Sequence, residues 1–190
     1  MTKTLWQDRA IVLLTAAAVM SSTAAYAQTK PAPKKPAKPE PTEQAVLLGQ
    51  FGDWGAYQAT PGGKKVCFAL SKPTSAVIEP SNRKRDASYA FVSTRPAEKV
   101  RNEVSVIVGY PQKAGVDATA TIGSASYVLY TQNDGAWVKN AAEEAQMVET
   151  MRKGSSMVVK SVSHSGAKTT DTYSMKGLDQ ALDKVAQECK

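Results

Sequence analysis

Histidine is all but missing from this sequence: His164 stands alone, in a Ser163–His164–Ser165–Gly166 turn. A zinc site draws several ligands from histidine and cysteine, and only Cys67 and Cys189 could join it. No metal centre and no cofactor are expected. The Gly-x-Ser-x-Gly elbow of serine hydrolases is absent, as is the Gly-x-x-x-x-Gly-Lys loop that cradles phosphates. Glu143 and Glu144 are adjacent, so on a helix they diverge and cannot face each other across a substrate. The inventory excludes the common catalytic arrangements, and the expectation is a protein that is not an enzyme.

Long apolar runs are equally scarce. Ala10–Met20 is uncharged and mostly apolar, but a membrane span needs about 20 such residues. Lys3 and Arg9 precede the run, and Ala25–Tyr26–Ala27 follows it with small residues where signal peptidase requires them. Residues 1–27 therefore read as a secretory signal cut after Ala27. Gln28, not cysteine, follows the cut, so no lipoprotein anchor is expected. With no second run of that kind, no transmembrane span is expected in the mature chain. Export also decides how the two cysteines are read. In an oxidising compartment Cys67 and Cys189 are expected to pair. A spacing so unlike Cys-x-x-Cys points to a structural clasp and not to redox chemistry.

Residues 28–44 alternate Pro31, Pro33, Pro36, Pro39 and Pro41 with lysine and alanine. Nothing there can form a core, and the composition favours an extended polyproline II linker. The linker holds Lys30, Lys34, Lys35 and Lys38 against Glu40 and Glu43, within a chain of net charge +7. A basic stem on a weakly basic domain suits an anionic envelope polymer as partner. Nucleic acid does not fit, because aromatic residues are not interleaved with the charges.

From residue 45 to residue 190 the dominant period is two. Val104, Val106 and Val108 share one face of 102–109, and Ala118, Ala120 and Ile122 share one face of 116–122. Ser88–Thr94, Tyr127–Thr131, Ser156–Val162 and Lys168–Tyr173 are further strands rich in β-branched and aromatic residues. Asn133–Asp134–Gly135 reads as a hairpin, its glycine supplying the positive φ that such turns need. Many strands joined by short turns predict a sandwich or barrel. Two segments break the period. Asn140 can cap a helix that carries Glu143 and Glu144 in its first turn and ends before Gly154. After Ser174, residues Leu178, Ala181, Leu182, Val185, Ala186 and Cys189 form one apolar helical stripe, which puts Cys189 on the buried face.

Two basic clusters remain, Arg83–Lys84–Arg85 and the residues Arg95, Lys99 and Arg101. Singly, each reads as a solvated connection between strands. Together they are the candidate anion-binding residues, since arginine suits phosphate and carboxylate groups.

Several segments carry a family resemblance: Phe51–Gly52–Asp53–Trp54, Lys65–Val66–Cys67–Phe68–Ala69–Leu70–Ser71–Lys72–Pro73, Thr94–Arg95–Pro96–Ala97–Glu98–Lys99–Val100–Arg101–Asn102–Glu103–Val104–Ser105, Asp134–Gly135–Ala136–Trp137 and Thr170–Asp171–Thr172–Tyr173–Ser174 with Cys189. In this order they resemble the bacterial invasion-associated locus B family over residues 48–189. The resemblance implies an exported envelope protein of the periplasm or outer surface, with an immunoglobulin-like β-sandwich. It also implies a role in host-cell association or invasion, with a host surface component as partner. The alternative is a periplasmic envelope-maintenance or stress factor that binds anionic envelope polymers.

Overall fold

The computed structural model describes residues 45–190; the expected export signal 1–27 and the expected linker 28–44 lie outside the described residues. The described chain runs β1 (Val46–Phe51), β2 (Trp54–Ala59), β3 (Val66–Ser71), β4 (Ser75–Glu79), β5 (Tyr89–Arg95), β6 (Val100–Ile107), β7 (Ala118–Ile122), β8 (Ala125–Gln132), β9 (Gly135–Val138), α1 (Ala141–Lys153), β10 (Ser156–Val162), β11 (Lys168–Ser174) and α2 (Leu178–Glu188). Every pairing is antiparallel. The strands form one continuous sheet in the order β1-β2-β3-β5-β6-β9-β8-β7-β10-β11-β4.

That sheet closes over itself. The Trp54 indole donates to Ser174 O at 2.8 Å, and Asp53 N donates to Lys176 O at 3.0 Å. These bonds bring the start of β2 to the end of β11, although the two lie near opposite edges of the sheet. The mainly β, sandwich-like reading thus holds, with both layers cut from a single hydrogen-bonded sheet.

Alternation decides what lies inside. Cys67 and Ala69 of β3, Ala90 and Val92 of β5, Val104 and Val106 of β6, and Met157 and Val159 of β10 are buried, with Trp54 and Tyr173 fully enclosed. Each valine or methionine side chain so removed from water contributes about 1.5–3 kcal/mol. The helices pack on the same core. α2 covers β1, β2 and β3 through Leu178, Ala181, Leu182 and Val185, and α1 covers β6 and parts of β8 and β9 through Met147, Val148 and Met151. Asn140 caps α1 as its side chain accepts from Glu143 N at 2.9 Å. Arg152 of α1 reaches Asp179 of α2 at 2.7 Å.

Cys67 and Cys189 form the disulfide, with Cα atoms 5.9 Å apart and a sequence separation of 122. Both are essentially inaccessible, at 0 % and 1 % exposure. The clasp joins β3 to the residue that ends α2.

One local expectation is corrected. The β8–β9 hairpin forms where the sequence places it, but the residue with positive φ is Asn133, at 54°, a backbone region asparagine tolerates better than most side chains. Gly135 has a different function: a Cβ there would lie 2.1 Å from the Trp137 ring. Its missing side chain makes room for the indole.

Candidate functional site

Four connections meet at one end of the fold: 80–88, 108–117, 133–134 and 163–167. Asp86 N donates to Gly109 O at 2.9 Å, Val108 N to Asp134 O at 2.9 Å, Gln112 N to Asn133 O at 2.7 Å and His164 N to Pro111 O at 2.8 Å. Between them lies a cavity of about 770 Å³ lined by Lys84, Arg85, Asp86, Tyr110, Asn133 and Asp134, among others. A second hollow of about 380 Å³, lined by Arg83, Lys84, Tyr110, Ser163 and Ser165, adjoins it.

Arg85 forms the floor of the larger cavity, where it is held by a residue that sequence reasoning missed. Asp171 faces inward from β11, and its carboxylate accepts both arms of the guanidinium: Nη1 at 2.8 Å to Oδ2, and Nη2 to Oδ1. Nη1 also donates to Val108 O at 2.9 Å. The two side chains are 9 % and 1 % exposed. Burial alone would weaken the guanidinium's hold on its proton, but the hydrogen bonds and charge of Asp171 outweigh it and raise the Arg85 pKa. Beside this pair the Tyr110 hydroxyl lies 2.5 Å from both Ser161 Oγ and Thr169 Oγ1. Those two residues are themselves a cross-strand pair between β10 and β11. Deeper still, Tyr173 Oη and Ser88 Oγ are buried without hydrogen-bond partners, and burial pushes the Tyr173 phenol above its usual range.

The two basic clusters sit at opposite ends of β5, roughly 20 Å apart for a strand of this length. They are therefore two patches and not one face. At the far end Arg95 lies between carboxylates, with Nε on Glu98 at 2.7 Å and both Nη atoms on Glu103 at 2.9 and 2.7 Å. The Glu103 hydrogen bonds lead the upward shift of its pKa. Of the six candidate anion-binding residues, Arg85 and Arg95 thus spend their forks internally. Arg83, Lys84, Lys99 and Arg101 are exposed, Lys99 and Arg101 beside a hollow of about 290 Å³ next to Cys189. The larger cavity is not an anion trap, since Asp86 and Asp134 offset Lys84 and Asp171 neutralises Arg85. Among the described residues, no group of three or more His, Cys, Asp or Glu is placed to hold a metal ion.

A second inward carboxyl belongs to Glu144 of α1, whose Oε1 accepts from Val104 N at 2.7 Å. Burial raises its pKa first, and Glu103 adds to the rise; the Val104 bond opposes it. A carboxyl whose pKa is higher folded than unfolded stabilises the fold fully below its unfolded pKa, and the benefit is lost as pH rises through the folded pKa. Glu144→Gln keeps an acceptor for Val104 N without the charge. The variant should match the wild type below pH ~4 and be at least as stable at neutral pH. Thermal unfolding from acid to neutral pH checks this, and a variant that loses stability only at neutral pH would reverse the sign.

A model of the invasion associated locus B (IalB) proteins matches residues 56–186. The match lies within the described residues and contains Cys67, Arg85 and Asp171, but it stops short of Cys189. No curated protein and no solved structure matches the chain. Among the described residues, no helix is long and apolar enough to cross a membrane. Since the match extends over more than half of the sequence, the chain belongs to the invasion associated locus B family.

Proposed function

We propose that this protein is an exported, non-catalytic binding module of the bacterial cell envelope that aids association with host cells. Family membership over residues 56–186 carries the reading. The Cys67–Cys189 bond supports it, because such bonds persist in oxidising compartments outside the cytosol. The polar cluster around Arg85 is compatible with it. Its strongest donors and acceptors are committed to one another, as in a structural network, and no nucleophile is paired with a general base.

The exposed cations Arg83, Lys84, Lys99 and Arg101 favour a second reading, an envelope-maintenance factor that docks on anionic polymers of the envelope. Protease added to intact cells, combined with a deletion strain presented to cultured host cells, tests the two. The leading reading expects protein degraded on intact cells and reduced host-cell association, restored by complementation. Protein protected until the outer membrane is opened, with association unchanged, would transfer the case to the maintenance reading.

A further inference from the structure

The two hollows at the end of the fold where the four connections meet differ in charge. Lys84 and Tyr110 line both. The smaller, of about 380 Å³, is also lined by Asn82, Arg83 and Ser165, and by no carboxylate. The larger adds Asp86 and Asp134, while its remaining cation, Arg85, is neutralised by Asp171. Lys113 and His164, on the same connections, line neither hollow. Glu79 lines a different one and stands opposite Lys168 of β11.

The outer charges are unspent. Among the described residues, Arg83, Lys84, Asp86 and Asp134 form no ion pair. The chain ties down their backbone instead. Arg83 N donates to Pro80 O at 3.1 Å, Asp86 N donates to Gly109 O at 2.9 Å, and Asp134 O accepts from Val108 N at 2.9 Å. Tyr110 is fixed beside them through its hydroxyl contacts with Ser161 and Thr169. The four side chains are thus exposed on a frame that the fold holds in place. In the smaller hollow Ser163 Oγ accepts from Ala167 N at 2.9 Å and lies 3.1 Å from Ser165 Oγ. With the Ser163 hydrogen donated to Ser165, the Ser165 hydroxyl keeps its own hydrogen for a ligand.

We infer that the two hollows together bind an aminoalkyl phosphate, a phosphodiester joined by a short alkyl link to an ammonium group. The phosphate occupies the smaller hollow, where Arg83 and Lys84 supply charge-assisted donors. The ammonium occupies the larger, against Asp86 and Asp134. Charge balance selects the class. Two cations beside two carboxylates suit a ligand that is neutral overall and charged at both ends. A phosphate alone would bring its charge near both carboxylates, and an amine alone would do the same to Arg83 and Lys84; each like-charge approach is unfavourable. Exposed ion pairs are individually weak, so affinity depends on both ends being engaged at once. Such a site goes beyond both readings of the function and assumes neither.

The test titrates the purified protein at low salt, by calorimetry, with glycerophosphoethanolamine and, separately, with glycerophosphoglycerol. The second keeps the phosphodiester and replaces the aminoethyl arm by glycerol. Saturable binding of the ethanolamine compound is expected, with the glycerol compound weaker by about threefold or more. Arg83→Ala should weaken the ethanolamine compound about tenfold. Asp86→Asn combined with Asp134→Asn should bring the two compounds to equal affinity. Arg101→Ala, at the other end of β5, should bind as the wild type does. All four substituted side chains are exposed, and circular dichroism checks that each variant folds. Vesicles of phosphatidylethanolamine and phosphatidylglycerol separate the sources. Cosedimentation that the double Asn variant lowers assigns the site to a lipid headgroup, because plain attraction to the anionic lipid would rise with two carboxylates removed. Binding of the soluble compound with no such loss assigns it to a soluble or polymer-borne ester. No saturable binding at millimolar ligand, equal affinity of the wild type for the two compounds, or undiminished binding by folded Arg83→Ala would overturn the inference.

Discussion

Replacing Cys67 and Cys189 together by alanine is expected to destabilise the protein by about 2–5 kcal/mol, which lowers the melting temperature by roughly 10 °C at this chain size. Chain entropy is the main cause. A cross-link with a sequence separation of 122 forbids most of the conformations open to the unfolded chain, and the entropic model gives nearly 5 kcal/mol for a closure of that length. Alanine is the cleaner probe. A serine hydroxyl placed at these two sites would add its own desolvation cost. Melts with and without reductant check the result: reduced wild type should unfold near the double variant. Equal melting temperatures for oxidised wild type and variant would show that the apolar face of α2 anchors the helix without help.

Arg85→Met should be comparably severe, at about 3–5 kcal/mol. The change leaves the Asp171 carboxylate, 1 % exposed, with its charge in the interior and its bidentate partner gone. The asymmetry is the diagnostic feature, because a buried pair is costly to break and cheap to replace whole. Arg85→Met combined with Asp171→Leu should therefore recover much of what Arg85→Met alone loses. Chemical denaturation of the two singles and the double gives the coupling directly. A double variant as unstable as the sum of the singles would mean that the ion pair supports neighbours such as Tyr110 beyond its own charge balance.

This ion pair also marks where sequence reasoning stopped. The alternation of 168–173 was visible, and it puts Thr169, Asp171 and Tyr173 on one face. An aspartate two residues before Tyr173 carries no local sign of facing inward. Arg85, in turn, sat in a run of like charge that resembles a solvated loop. The two meet across 86 residues of sequence, and only closure of the sheet brings them together. Local signals fared better, because they depend on neighbours in the chain: the Asn140 cap and the Asn133–Asp134 turn formed, and so did the stripe of α2 except at Ala186, which is exposed. β4 was missed since four of its five residues are exposed, which leaves an edge strand without an inward face to announce it.

The clasp at Cys67 and Cys189 has a mechanical consequence. When the chain is pulled from its two ends, load passes from residue 66 through the sulfur–sulfur bond to the final residues, and the ring between them bears none of it. Among the described residues, only the segment 45–66, comprising β1, β2 and the turn after them, can unravel, paying out roughly 75 Å of chain at full extension. β5 to β11, with the Arg85–Asp171 pair, stay off the path of the force. The protein is thus built with a short, limited tether on one side and a covalently enclosed body that tension cannot draw out.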